Sequence, residues 1–268
     1  MEMYFFLKVF SLYLRNAPTF AYKITYKIIY SLLFHVLKMR QKTVLTNLRW
    51  AFPDKNEEWY NNTMKQCYKF FTKEFLDFIS FPKNYSSSKI KFKNLEVLSS
   101  AHAMKKGIIL VGSHYGSFDK LFYALSQEEY NLTGVAYKQN NSGADIFFKQ
   151  IRENFMEDQL YKGGDVKQLK NSLVKNNILI LLSDQDAKKK GVKAKFFGID
   201  SSTHSGAAIL SKRNKSPIIY ASITSKNNIY EVEFVKINTS GSINDIVQQY
   251  TSEIEKTIIN NPEQYFWF

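Results

Sequence analysis

The chain has 268 residues, 44% of them hydrophobic and 16% aromatic, a formal charge of +13 and one cysteine, Cys67. That length and apolar content exclude a disordered chain and support one large α/β domain or two small ones with ample core. A lone cysteine excludes an intrachain disulfide framework and a four-cysteine metal site, and the helical spacing of Met64, Cys67, Tyr68 and Phe71 makes it a buried structural thiol.

The charge is concentrated at the start. Residues 1–50 carry eight basic side chains (Lys8, Arg15, Lys23, Lys27, Lys38, Arg40, Lys42, Arg49) against one acid, Glu2, over half of the whole excess. Such an excess suits nucleic acid, an anionic membrane or an acidic partner. No zinc-finger spacing and no RNA-binding aromatic motif is present, so nucleic acid is not expected. Residues 3–14 are nearly continuous apolar, yet shorter than the ~20 residues that span a bilayer. Lys8, Ser11 and Arg15 share one helical face, with Phe5, Phe6, Val9, Phe10 and Tyr13 opposite. After Pro18, Lys23, Lys27, Ser31 and His35 recur at helical steps, with Ile24, Ile28, Leu32, Leu33 and Leu37 on the remaining surface. Two basic amphipathic helices rich in Phe and Tyr predict a region lying in a membrane interface, within residues 1–50. Charges interrupt the apolar run and no small-residue cleavage site follows, so no cleavable signal peptide is expected.

Residues 54–80 read as a helix ending before Pro82, and Ser86-Ser87-Ser88 as a short loop. From residue 107 strands and helices alternate: strands at 107–112, 131–137, 177–183, 216–224 and 229–236, helices at 118–127, 143–155, 165–175, 205–214 and 244–259. This predicts an α/β fold with a mostly parallel central sheet flanked by helices, its last two strands antiparallel across a hairpin at Lys226-Asn227-Asn228. The whole of 1–268 reads as one domain, with 107–236 as the catalytic α/β core.

In GIILVGSHYGSFD (107–119) an apolar strand enters a tight loop broken by Gly112, Ser113 and Gly116, and Ser117 is the expected N-cap of the next helix. Five residues apart, His114 and Asp119 meet only if His114 lies in the loop and Asp119 in the first helical turn, where the helix dipole favours an ionised carboxylate. A carboxylate on one imidazole nitrogen leaves the other free as a general base. Asp184-Gln185-Asp186 follows the buried run Ile178–Leu182, at an equivalent strand end. Sites of open α/β sheets gather at such carboxyl ends. Several chemistries fall away. GSHYG has His114 where a nucleophile elbow needs Ser, and no phosphate loop or dinucleotide glycine motif is present. Asp184-x-Asp186 leaves open a metal-dependent glycosyltransferase, and a membrane-binding module without catalysis is the third reading.

The ordered set of NLRWAFPDKNEE (47–58), HYGSFD, Arg152, the SDQD turn, KAKFFG with its following Ser/Thr and small-residue helix, and the ending NPEQYFWF resembles the late acyltransferases of lipid A biosynthesis. These belong to the lysophospholipid acyltransferase superfamily, and the likeness covers most of the chain. It implies a glycerolipid-acyltransferase-like fold and an enzyme that is peripheral or monotopic at the cytoplasmic face of the bacterial inner membrane. The reaction implied moves a fatty acyl chain from a carrier thioester to a hydroxyl of a lipid acceptor, with no metal, no cofactor and no acyl-enzyme. The donor is acyl carrier protein or acyl-CoA, the acidic carrier being favoured on charge; anionic membrane lipids are further partners.

In this reading His114 takes the acceptor proton and Asp119 orients the ring, while backbone N–H groups around Gly116 or the Arg152 guanidinium stabilise the oxyanion. Only five of 37 basic residues are Arg, which marks Arg152 for a fork-shaped phosphate contact. Lys138 stands where the family often has Arg. Ser117, Asp184 and Gln185 complete the expected substrate-binding set, and the five lysines of KKKGVKAK (188–195) are placed to steer a phosphorylated partner. Phe196, Phe197 and the small helix from Ser205 to Ile209 are expected to line an acyl channel.

Overall fold

The computed structural model describes residues 1–86, 89–226 and 229–268. In chain order the elements are α1 (Glu2–Asn16), α2 (Thr19–Ser31), a π-helical turn (Leu32–Val36), α3 (Gln41–Ala51), α4 (Glu57–Ile79), α5 (Lys83–Ser86), β1 (Lys89–Lys93), α6 (Leu95–Ala103), β2 (Ile108–Gly112) and α7 (Phe118–Gln127). There follow β3 (Leu132–Ala136), α8 (Ser142–Arg152), β4 (Asp158–Tyr161), α9 (Val166–Val174), β5 (Ile178–Leu182), a 3₁₀ turn (Lys188–Lys190), β6 (Val192–Phe196) and β7 (Ile199–Thr203). The chain closes with α10 (Gly206–Asn214), β8 (Ile218–Lys226), β9 (Ile229–Ile237), α11 (Ile243–Asn260) and a 3₁₀ turn (Pro262–Gln264).

Seven strands form one sheet in the order β1-β9-β8-β2-β5-β3-β4, parallel throughout except for β8 against β9. Strand periodicity explains its burial. Ile108 and Leu110 of β2, Ile178 and Ile180 of β5, and Ile219 and Ala221 of β8 enter one core. Their alternates Ile109, Val111, Leu179, Ile218 and Tyr220 enter the other. Strands buried on both faces must read as unbroken apolar runs, and these do.

All five strands and five helices expected from residue 107 onward are present, with ends within three residues. The antiparallel last pair is observed, although Asn227 and Asn228 of its turn lie outside the described residues, as do Ser87 and Ser88. Periodicity does not reveal β1 or β4, nor the β6–β7 hairpin, which reads in sequence as a lysine loop. Each is short or lies at an edge, and charged side chains interrupt its apolar pattern: β1 is KIKFK, exposed at alternate residues. The long helix starts at Glu57, not Asp54, because the Asn56 side chain accepts the Trp59 N–H and fixes the N-cap.

In α1 the structure reverses part of the expected facing. Ser11 points inward, its Oγ donating to the Ile79 carbonyl at 2.6 Å, while Phe5, Phe6, Val9 and Leu12 stay exposed. Phe20, Ile24 and Ile28 of α2 are exposed as well. Among the described residues no helix is long and apolar enough to cross a membrane.

Candidate active site

Parallel pairing sets Gly112 of β2 opposite Leu182 of β5, so the residues two positions beyond each end, His114 and Asp184, emerge side by side. Asp184 Oδ1 lies 2.9 Å from His114 Nδ1, and its Oδ2 accepts the His114 backbone N–H at 3.1 Å. A carboxylate only accepts, so it fixes the ring proton on Nδ1 and leaves Nε2 as the free nitrogen of a general base. Burial, the largest single influence, would lower the imidazole pKa, but the Asp184 charge, its hydrogen bond and the Asp119 charge together outweigh it, and the His114 pKa lies above its ordinary value.

The carboxylate that holds the ring is thus Asp184, not Asp119, and no hydrogen bond joins Asp119 to His114 among the described residues. The reason is geometric: strand register delivers Asp184 alongside the imidazole, whereas Asp119 is held in the first turn of α7. Asp119 does sit in the first turn of α7, as its spacing requires, and faces two of the clefts that His114 also lines. Burial pushes its carboxyl up to about 6, against the opposing charges of Arg152 and His114.

Two further expectations for this loop change. The Gly116 N–H donates to the Gln264 carbonyl at 2.8 Å, so it is not an open oxyanion donor. Glycine is required there for a different reason: φ is +61°, and a Cβ would stand 1.7 Å from the Ile223 carbonyl oxygen. Ser117 holds the N-cap position without capping, and its hydroxyl is buried, unpartnered and beside His114 in a cleft wall. Next to Asp119, Lys120 is almost fully buried and donates to Glu74 at 2.7 Å, Asp77 at 2.9 Å and the Tyr230 hydroxyl at 3.1 Å. Asp77 also accepts from Tyr22 of α2 at 2.5 Å, so one buried ionic cluster pins α7 to α4 and α2.

Arg152 ends α8 and lines a cleft rather than the outer surface. Its Nε donates to Gln159 Oε1 at 2.6 Å, while Arg152 Nη2 and Gln159 Nε2 are both buried without a partner. An unsatisfied buried donor costs ~1–3 kcal/mol, so two adjacent ones mark a place for an acceptor. Gln159 escapes a reading of the sequence because β4 itself does. Gln185 lines two clefts, whereas Lys138 is exposed and lines none of the three, although its neighbours Tyr137 and Gln139 line the second. The lysines of 188–190 form an exposed turn.

Three clefts meet at His114. One of about 700 Å³ runs past Asp184, Gln185, Trp50, Phe196 and Phe197. The second, about 570 Å³, holds Arg152, Gln159, Lys162, His204 and the small residues Gly206 and Ala207. The third, about 580 Å³, is walled by Phe71, Phe75, Phe78, Phe118, Phe266 and Phe268. Each has the size of a small-molecule site. Asp186 caps the next turn by accepting the Lys188 N–H at 2.8 Å, so both acids of the D-x-D pair are engaged within the protein. Among the described residues no three His, Cys, Asp or Glu side chains gather as a metal site.

No curated protein matches the chain. The family model described as bacterial lipid A biosynthesis acyltransferase matches residues 2–268, essentially its whole length. The chain therefore belongs to the bacterial lipid A biosynthesis acyltransferase family and is an acyltransferase.

Proposed function

We propose that this acyltransferase moves a fatty acyl chain from acyl carrier protein to a hydroxyl of a lipid A precursor or related lysolipid, with His114 as general base. The observation that carries the reading is the convergence of one aromatic-walled and two polar-rimmed clefts on His114. An acyl chain needs an apolar channel, and donor and acceptor head groups need separate polar ones. His114 Nε2 takes the acceptor hydroxyl proton as that oxygen attacks the thioester carbon. The tetrahedral oxyanion collapses, the C–S bond breaks, and the imidazolium returns its proton to the leaving thiolate. Asp184 orients the ring, and Asp119, held near the point of ionisation by burial, stabilises the imidazolium across the cleft. General-base catalysis of this kind contributes ~10²–10⁴-fold.

The paired orphan donors of Arg152 and Gln159 suit a phosphate of the bound lipid or carrier arm, and the Ser117 hydroxyl suits the oxyanion. The exposed lysines 188–190 beside the Asp186 rim favour the acidic carrier over acyl-CoA. The exposed Phe5, Phe6, Val9, Phe20 and Ile24, interspersed with Lys8, Lys23 and Lys27, support α1 and α2 as interfacial helices of a single acyltransferase domain. The cytoplasmic face of the bacterial inner membrane is the location this reading assigns.

The test is acyl transfer by the purified chain, product identified by mass spectrometry. Carrier thioester and acyl-CoA are compared as donors, with and without EDTA. Transfer that His114→Ala abolishes and EDTA spares is the expected result; full activity in His114→Ala refutes the mechanism. Liposome flotation tests the helices: deletion of residues 1–38 should release the protein from anionic vesicles, and because each basic residue near such a surface contributes ~1 kcal/mol of screened attraction, binding should weaken as salt rises.

A further inference from the structure

Phe266 and Phe268 of the motif NPEQYFWF wall the third cleft, and the backbone of the same segment is built against the His114 loop. After α11 the chain turns through Pro262–Gln264 and pairs with the loop as one antiparallel bridge, Tyr115 opposite Tyr265. The Phe266 N–H donates to the His114 carbonyl at 3.0 Å, and the Gly116 N–H donates to the Gln264 carbonyl at 2.8 Å. Both backbone groups flanking the bridge are therefore satisfied by the tail.

The tail is itself latched. Gln264 is 5% exposed, its amide nitrogen donating to the Ser225 carbonyl at 2.8 Å and its amide oxygen accepting the Ser225 N–H at 2.9 Å. One side chain thus stands in for a strand residue along the open edge of β8. From the other side, Cys67 Sγ of α4 donates to the Tyr265 carbonyl and Asn47 of α3 donates to the Trp267 carbonyl. The Tyr265 ring is buried edge-on against Trp267 and shares a cleft wall with Asp184; burial first, and then the Asp184 charge, push its phenol pKa well above the ordinary value.

We propose that Tyr265 is a positioning residue that fixes both members of the general-base pair, its backbone splinting the His114 loop and its hydroxyl holding Asp184. The inference rests on the assignment of His114 as the base. A loop between a strand and a helix has few contacts of its own, and a base displaced by about 1 Å loses on the order of a hundredfold in rate. The bridge removes that freedom at the backbone, and a phenol donating to Asp184 fixes the carboxylate that orients the ring.

The experiment compares Tyr265→Phe with the wild type in the full chain, with His114→Ala as the inactive reference. An active wild type beside a dead His114→Ala establishes the base first, so failure of that assignment is seen separately. Besides Tyr265, the titratable groups around the pair are Asp119 facing His114; Arg152, Glu74 and Lys120 facing Asp119; and His204 facing Asp184, with Lys162 and Asp186 facing His204. All remain in Tyr265→Phe. Without the phenol, Asp184 no longer shares its charge, so His114 should hold its proton more tightly. Expected are a fall in kcat of about tenfold, KM for both substrates within about twofold, and the acid limb of the kcat profile moved to higher pH. Gln264→Leu removes the latch but not the hydroxyl, and should lower kcat with the limb unmoved. Wild-type kcat and an unmoved limb in Tyr265→Phe overturn the inference, as does a loss of kcat in that variant that is uniform in pH.

Discussion

Replacing Asp119 by Asn should stabilise this protein near neutrality while crippling it as an enzyme. Burial lifts the Asp119 carboxyl from 3.8 to about 6, and the charges of Arg152 and His114 offset only part of that rise. Between those values the native state keeps a proton that the unfolded chain has released, so the wild type loses stability as pH climbs through the window. About two pKa units at about 1.36 kcal/mol each come to ~3 kcal/mol. The Asn side chain has nothing to titrate there, and carboxylates away from Asp119 titrate alike in both proteins. The difference in unfolding free energy, variant minus wild type, should therefore grow by ~3 kcal/mol across that pH range and level off above it. Urea unfolding followed by fluorescence of the three tryptophans, at a series of pH values, measures it. Turnover of the same variant should fall to a trace, because the imidazolium loses its facing charge. A stability difference that does not change with pH would refute the reasoning, since it would mean that Asp119 is not ionised against its surroundings.

Asp184→Asn should lower kcat by ~10²–10⁴-fold in single-turnover assays, because an amide no longer fixes the proton on His114 Nδ1. In the wild type the acid limb of kcat should have its midpoint above pH 6.5, since Asp184 raises the His114 pKa and the base must be neutral; by the same sign His114 contributes stability below that value, lost as pH rises through its native pKa. Arg152→Lys should cut kcat/KM tenfold or more, ~1.4 kcal/mol, because an ammonium cannot keep the 2.6 Å contact to Gln159 and also fork an anion. Lys120→Met should cost ~3 kcal/mol in chemical denaturation, because it removes the buried cation of the cluster and leaves the half-exposed Lys73 alone to balance Glu74 and Asp77. Arg152→Lys kinetics equal to wild type, or a Lys120→Met midpoint unchanged in urea, would count against these two roles.

The alternation of strand and helix from residue 107 is legible because both are local periodicities. A strand buried on two faces must be apolar at every residue, and an amphipathic helix must repeat every three to four. The placement of His114 in a loop and Asp119 in the first turn of α7 is legible for the same reason, since it follows from a five-residue spacing. The partner of His114 is not. Asp184 lies 70 residues away, and only the pairing of Gly112 with Leu182 brings the two strand ends together. Two polar clusters at equivalent strand ends are visible in the sequence; that β2 and β5 are neighbours is not, because strand order is set by how helices pack across the sheet. Gln159 stays hidden on a four-residue edge strand, and Gly116 reads as a free donor although its N–H is taken by Gln264 from the far end of the chain. Sequence by itself marked His114, Asp119, Arg152 and Asp184 as candidates, since side-chain type and local spacing are its own properties. Tertiary structure alone decided which of them touch, because contacts between distant segments depend on register and on which backbone groups are already satisfied.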